Sequence, residues 1–200
     1  MKRSKFLLAA IAMSWLAACS GTGVGGFANS GGPTVDITQL PSFRVEGLKV
    51  NVLTTLSVSE GDGYKPNADI VWRGDLFGNR YQQVQAIFEQ GFRRGISTLH
   101  RGHIPVSVVL DVRQFHAITE RARYTVGGTH AIGFNMTVVN AKTGDVLVPT
   151  YHVQANLKAY GGADALAAER EGLTQKVRIV DHLSKVAISE LTGQAYSARN

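Results

Sequence analysis

The chain has 200 residues, 44% of them hydrophobic and 18% charged, a balance that excludes a fully disordered or fibrous protein. Lys and Arg outnumber Asp and Glu by 21 to 15, a formal charge of +6. A single cysteine excludes an internal disulfide and a cysteine-based zinc site.

Residues 1–18 read as a targeting segment. Lys2, Arg3 and Lys5 form a charged start, and Phe6 to Leu16 is an apolar run too short for a membrane span, which needs ~20 apolar residues. Leu16-Ala17-Ala18-Cys19 follows, and with the charge, the apolar run and the only cysteine in register it resembles the bacterial lipobox. The alternative is a plain secretory signal ending near a cysteine. The lipobox resemblance implies a diacylglycerol thioether on Cys19 and an acyl group on its amine, and several buried acyl chains anchor stably where one does not. Ser20 stands at the sorting position, where Asp would favour inner-membrane retention, so the implied address is the outer membrane facing the periplasm. Three of the 21 basic side chains lie in the signal and none of the 15 acidic ones, leaving 18 against 15. That removes the concentrated basic stripe a nucleic-acid binder would want.

Residues 19–42 read as the lipidated cysteine and a flexible tether, glycine-rich over 20–33, with a reach of roughly 20 Å for that stretch. Gly21, Gly23 and Gly26 spell a G-x-G-x-x-G, but no strand precedes it and no helix follows, so it binds no dinucleotide. Residues 43–200 then form one α+β domain. Leu48, Val50, Val52, Leu56 and Val58 share one parity and predict a strand, and 59–68 are turn-rich. Asp69 to Arg73 suits a second short strand. Asn79 or Asp75 caps a helix with the stripe Tyr81, Val84, Ile87, Phe88, Phe92 and Leu99. Gly91 and Gly95, one turn apart on it, suggest close packing against a sheet. Val106 to Val112 alternate strictly, and Ile132 to Val138 form another strand. The turn Asn140 to Asp145 leads to a return strand whose parity switches at Pro149, where a bulge or an edge is expected. A long helix from Ala163 to Leu191 closes the chain, with Leu166, Leu173, Val177, Val180, Ala187 and Leu191 as the stripe expected against the sheet and Gly193 as its C-terminal cap. The order strand-helix-strand-strand-strand-helix predicts a small, mostly antiparallel sheet with two helices packed on one face.

The segments NADIVWRGD (67–75), RYTVGGTHAI (123–132) and EREGLTQKVRIVDHL (169–183) resemble an uncharacterised alphaproteobacterial lipoprotein family built on a domain of unknown function. The element order is similar in topology to YajG-type envelope lipoproteins. The resemblance covers about residues 44–193 and implies an envelope lipoprotein, with no catalytic residue to carry over.

No residue pattern demands an enzyme. Of the six histidines only His100 and His103 are close in sequence, and a metal site needs three or four converging ligands. No metal, cofactor or nucleic acid is expected. His130 shares parity with Ile132 and Phe134 and reads as a core position. Asp111, His116 and Glu120 could be combined with a serine on paper, as in most chains of this size. Asp69 and Asp75, flanking Trp72 and Arg73, suit capping and an Asp–Arg pair more than acid–base work. Arg93, Arg94, His100, Arg101 and His103 form a basic run, read as a solvated helix end or a contact with anionic headgroups. The last helix carries a long polar face on which Arg170, Lys176 and Arg178 are the candidate partner-binding residues. Two roles fit: a non-catalytic adaptor or assembly factor that binds another envelope protein, or a lipid- or small-ligand-binding accessory of an envelope transport system. A groove left open by Phe88, Phe92, Phe134 and Tyr151 would favour the second.

Overall fold

The structure is a computed structural model that describes residues 42–193. Every described residue belongs to one compact unit. The signal, Cys19, Ser20 and the glycine-rich tether therefore lie outside the described residues.

Among the described residues the chain runs β1 (Phe43–Val52), β2 (Ile70–Val71), α1 (Arg80–Ile96), β3 (Ile104–His116), α2 (Glu120–Arg123), β4 (Gly128–Asn140), β5 (Val146–Gln154), β6 (Leu157–Ala159), α3 (Gly162–Arg170) and α4 (Gln175–Thr192). This is the expected α+β class. β1 and β3 pair in parallel because a whole helix, α1, connects them, which is the connection a parallel pair requires. β2 also lies parallel to β3. The pairs of β4 with β3, β5 and β6 are antiparallel, and the long path across the sheet is β1-β3-β4-β5.

Alternation places Val106, Val108, Leu110 and Val112 of β3 on the same face as Ile132, Phe134, Met136 and Val138 of β4, all buried. α1 and α4 cover that face. Phe88 and Phe92 of α1 meet the ring of Phe134 edge-on at 5.4 and 5.5 Å, and Trp72 meets Phe115 at 5.6 Å. Asn79 caps α1 by accepting from the Gln82 amide at 3.1 Å. The return strand is interrupted at Pro149, where Val148 pairs with Val138 and Tyr151 with Met136, and it lies at the sheet edge as expected. It breaks again at Asn156, whose Oδ1 accepts from the Ile132 amide at 3.1 Å, so β5 and β6 are separate.

Three expectations need correction. Leu56 and Val58 do not extend β1, which ends at Val52 before a turn closed by the Leu56 amide on the Leu53 carbonyl. The C-terminal helix is two helices. Gly172 adopts φ 78°, and Thr174 starts α4 by accepting from the Val177 amide at 3.3 Å. The break changes the helical phase, so Leu166, Leu173 (43% exposed) and Val177 (42% exposed) face outward, while Ile179, Val180, Leu183, Val186, Ala187 and Leu191 are buried. Gly193, at φ 68°, caps α4 as expected.

Gly91 and Gly95 do serve close packing, but against α4 rather than the sheet. A Cβ on Gly91 would come 2.6 Å from Cβ of Leu183, and one on Gly95 would come 2.3 Å from the Ser184 carbonyl oxygen. Alanine is the better helix former by about 1 kcal/mol, yet Gly95→Ala must push the two helix backbones apart. It should lower the stability measured by urea unfolding by about 1–3 kcal/mol, as overpacked cores do. An unchanged or raised stability would mean that this glycine does not set the spacing.

Candidate interaction surface

The segment between β2 and α1 is built outward from a buried tryptophan. Trp72 is fully buried, and its indole N–H donates to Asp75 Oδ2 at 2.9 Å. The other carboxylate oxygen accepts from Lys176 Nζ, at the start of α4, at 2.7 Å. Burial pushes the Asp75 carboxyl up, but the bonds from Lys176 and Trp72 outweigh it and hold the group below its ordinary range.

Arg80, the first residue of α1, is only 5% exposed and fixes the other side of the segment. Its guanidinium donates to both oxygens of Glu60 at 2.6 and 2.9 Å, to Gln83 Oε1 at 2.7 Å, and to the carbonyls of Asp75 and Leu76 at 3.3 and 3.2 Å. The forked geometry lets one side chain hold both chain segments. The Arg80 bond lowers the Glu60 pKa, and Glu60 in turn raises that of Arg80. Gln83 Nε2 adds a second bond to the Leu76 carbonyl at 2.9 Å. On this braced loop Leu76 is 91% and Phe77 85% exposed, with the Phe77 ring centroid 5.8 Å from the Arg80 guanidinium carbon. A cleft of about 520 Å³ lies beside them, walled by Glu60, Arg73, Asp75 and Glu120. Arg73 bridges it, 3.8 Å from Glu60 and 3.7 Å from Glu120.

This loop and the start of the domain lie at opposite ends of the sheet. Phe43 pairs beside Ile104 at the first residue of β3, whereas Val71, just before the loop, pairs beside His116 at its last. Those twelve residue steps span roughly 40 Å at ~3.3 Å each. The Ser42 carbonyl accepts from the His103 amide at 3.0 Å, and Arg93, Arg94, His100, Arg101 and His103 are all exposed. Arg94 is 3.6 Å from Asp181.

The other residues singled out by sequence are dispersed. Lys176 holds Asp75. Arg178 lies over the Tyr160 ring at 3.6 Å and donates to the Lys158 carbonyl at 2.7 Å, and Arg170 is exposed at the end of α3. Asp69 accepts from the amide and hydroxyl of Ser57 at 2.8 and 2.7 Å, bonds that lower its pKa. Asp111 accepts from the Asn51 amide at 2.7 Å, His116 Nε2 bonds the Pro66 carbonyl at 2.8 Å, and Glu120 reaches Arg73, so these three do not converge. Among the described residues no three His, Cys, Asp or Glu side chains come together as a metal site would require, and no helix is long and apolar enough to cross a membrane. The Leu76–Phe77 pair and the buried Arg80 were missed by the sequence reading. Two large apolar residues between Gly74 and Gly78 in a turn-rich stretch were the available signal; nothing marked Arg80.

His130 is fully buried at the start of β4. Its Nδ1 accepts from the Ile118 amide at 3.4 Å, and its Nε2 has no hydrogen-bond partner among the described residues. Burial first, then Arg178, His182 and Arg123, push its pKa down to about 3. His182, whose Nε2 bonds the Ala155 carbonyl at 3.1 Å, is also lowered by burial.

Residues 43–200 match the model of a family of unknown function, DUF6778, and the chain belongs to that family. No curated protein matches the chain. Among solved structures it is similar to a protein of Xanthomonas campestris from the DUF330 family, at 13% identity and a TM-score of 0.41, covering 78% of this chain and 86% of the other. It is also similar to a candidate lipoprotein of Caulobacter crescentus CB15, at 15% identity and a TM-score of 0.33, covering 72% and 88%. At these scores the overlap defines neither fold nor function.

The burial of His130 makes a pH signature. With its folded pKa near 3 and an ordinary value of 6.5 when unfolded, the unfolded chain takes up the proton first as pH falls. The stabilisation from the neutral ring is complete above pH 6.5 and is lost as pH drops from there toward 3, at up to about 1.4 kcal/mol per pH unit. Glu190, whose pKa burial raises, works in the opposite direction, so the comparison must be with a variant. Urea unfolding of His130→Gln should show a shallower fall between pH 6.5 and 4.5 than the parent chain. Parallel curves would show that His130 is not held neutral.

Proposed function

We propose that this member of the DUF6778 family is a lipid-anchored envelope protein that acts as a non-catalytic adaptor, with the Leu76–Phe77 tip as its contact for another envelope protein. The lipobox-like LAAC at 16–19 supports processing of the signal and acylation of Cys19, and Ser20 supports outer-membrane sorting of a periplasm-facing domain. Kinship with alphaproteobacterial lipoproteins and a YajG-like arrangement belong to the same reading.

The observation that carries the adaptor role is the exposure of two large apolar side chains on a loop braced by a buried arginine. An aromatic anchor held in place loses little conformational freedom on binding, which is what interface hot spots exploit. The tip also lies at the end of the sheet opposite Phe43, where the described strands begin. The accessory role in ligand transport has less support, because Phe88, Phe92 and Phe134 stack against each other and fill the helix–sheet interior, and Tyr151 closes its side by donating to Glu190 at 3.0 Å. The titratable groups of the charged cleft are committed to bonds that hold the loop, so no reaction is assigned to it.

Two experiments test the reading. Cys19→Ala should abolish metabolic labelling with palmitate and release the domain or leave it unprocessed; a labelled, processed variant would refute lipidation at this residue. For the adaptor role, Leu76→Ser with Phe77→Ser should leave the melting temperature unchanged and reduce crosslinked capture of an envelope protein in intact cells by about tenfold or more. Arg170→Ala, on the exposed face of α3, serves as the comparison. Capture that survives the loss of both apolar side chains would remove the tip from the interface.

A further inference from the structure

The two edges of the sheet are not alike. β5 carries Pro149 and two register shifts against β4, devices that blunt a strand edge. On β1 the only irregularity lies between Val45 and Gly47, next to the exposed Arg44–Glu46 ion pair, and from Gly47 to Val52 the register with β3 is unbroken. Among the described residues no strand pairs with the other side of β1. A groove of about 570 Å³ follows that open side along residues 48–53, with Gln85 and Glu89 of α1 on one flank and Asp111 on the other.

We propose that this edge pairs antiparallel with the same edge of a second copy of the chain, about a two-fold axis near Val50, so that one sheet runs through two molecules. The side-chain pattern is self-complementary, as an isologous contact requires. A two-fold at Val50 sets Leu48 opposite Val52 of the second copy, twice. Both are half-buried on the face that α1 covers, and pairing buries their outer sides. It also sets Lys49 opposite Asn51 of the second copy on the other face. Lys49 has no ion-pair partner among the described residues, and Asn51 donates to Asp111 at 2.7 Å, so each lysine arrives beside the other copy's amide–carboxylate pair. A slip by one residue would carry Lys49 to the apolar side, which restricts the register. A foreign extended peptide could use the same backbone groups, but it would not need a cation on the edge strand and an acid on the strand beside it spaced for each other. Six residues per copy make a small interface, and confinement of both copies to one membrane surface raises their effective concentration.

The test uses the full chain in cells, as two co-expressed copies with different tags and a photocrosslinking amino acid at Leu53, which is exposed. The expected product joins the two tags, and mass spectrometry places the second end within residues 44–53. Lys49→Glu should reduce that product about tenfold without moving the melting temperature, because exposed charges contribute little to stability. Combining it with Asp111→Lys should restore the product. Absence of the two-tag product, adducts to residues 31–42 of the same copy, adducts to a different protein, or failure of the reversed pair to rescue would each overturn the proposal. The Leu76 and Phe77 variant should keep the two-tag product, so failure at the tip and failure at the edge are read separately.

Discussion

The close approach of α1 and α4 is the constraint on which the arrangement of this domain depends. Gly91 and Gly95 leave no Cβ between the helices, so α4 settles against α1 at Leu183 and Ser184. That approach has consequences at two points along α4. At its start Lys176 reaches Asp75 and with Trp72 holds one side of the loop before α1. Next to Leu183 in the chain, His182 reaches the Ala155 carbonyl between β5 and β6 and packs beside His130. Larger side chains at the two glycines would move α4 as a unit, and the loop and the histidine pocket would both lose a wall.

The strands were readable because each has one buried face, and an alternating pattern is the direct imprint of that condition. Val106 to Val112 and Ile132 to Val138 are the clear cases, and the parallel pairing of β1 with β3 follows from the helix between them. The last helix misled for an equally physical reason. Leu166, Leu173 and Val177 fit one helical stripe only if the helix is continuous, and a positive φ at Gly172 followed by the Thr174 cap resets the phase. Periodicity is blind to such a reset, whereas the cap residue records it: Thr174 precedes the amide it accepts by three residues. Gly91 and Gly95 announced close packing, but which neighbour they admit is a tertiary fact that no local pattern encodes.

The candidate site was legible only in part, because its decisive residue is an arginine in an unexpected place. Arg80 follows a turn-rich stretch and looks like an ordinary solvated start of a helix. Its burial is permitted because Glu60, twenty residues earlier, offers both carboxylate oxygens and two loop carbonyls and Gln83 accept from the remaining donors. A buried cation without such a set would be strongly destabilising. The partners come from three separate stretches of chain, so the site exists only after folding. Asp75 is similar: its position suited a helix cap, but Asn79 takes that role and Asp75 turns toward Trp72 and Lys176.

What distinguishes the tip from ordinary surface is that the chain spends several strong bonds to hold apolar residues away from its own core. Solvent-exposed leucines are common, and singly they need no explanation. Leu76 and Phe77 are adjacent, almost fully exposed, and presented by a loop whose backbone carbonyls are gripped by Arg80 and Gln83. If exposure were incidental, the loop would lose little by folding Phe77 back over the cleft walls. The guanidinium that braces the carbonyls also lies over the Phe77 ring, 5.8 Å from its centroid. The same arginine therefore holds the loop backbone and lies over the exposed ring, and Glu60, which neutralises it, forms part of the cleft wall. On the proposed adaptor reading, the tip is an apolar wedge beside already paired charges, suited to a partner with an apolar pocket and little net charge of its own.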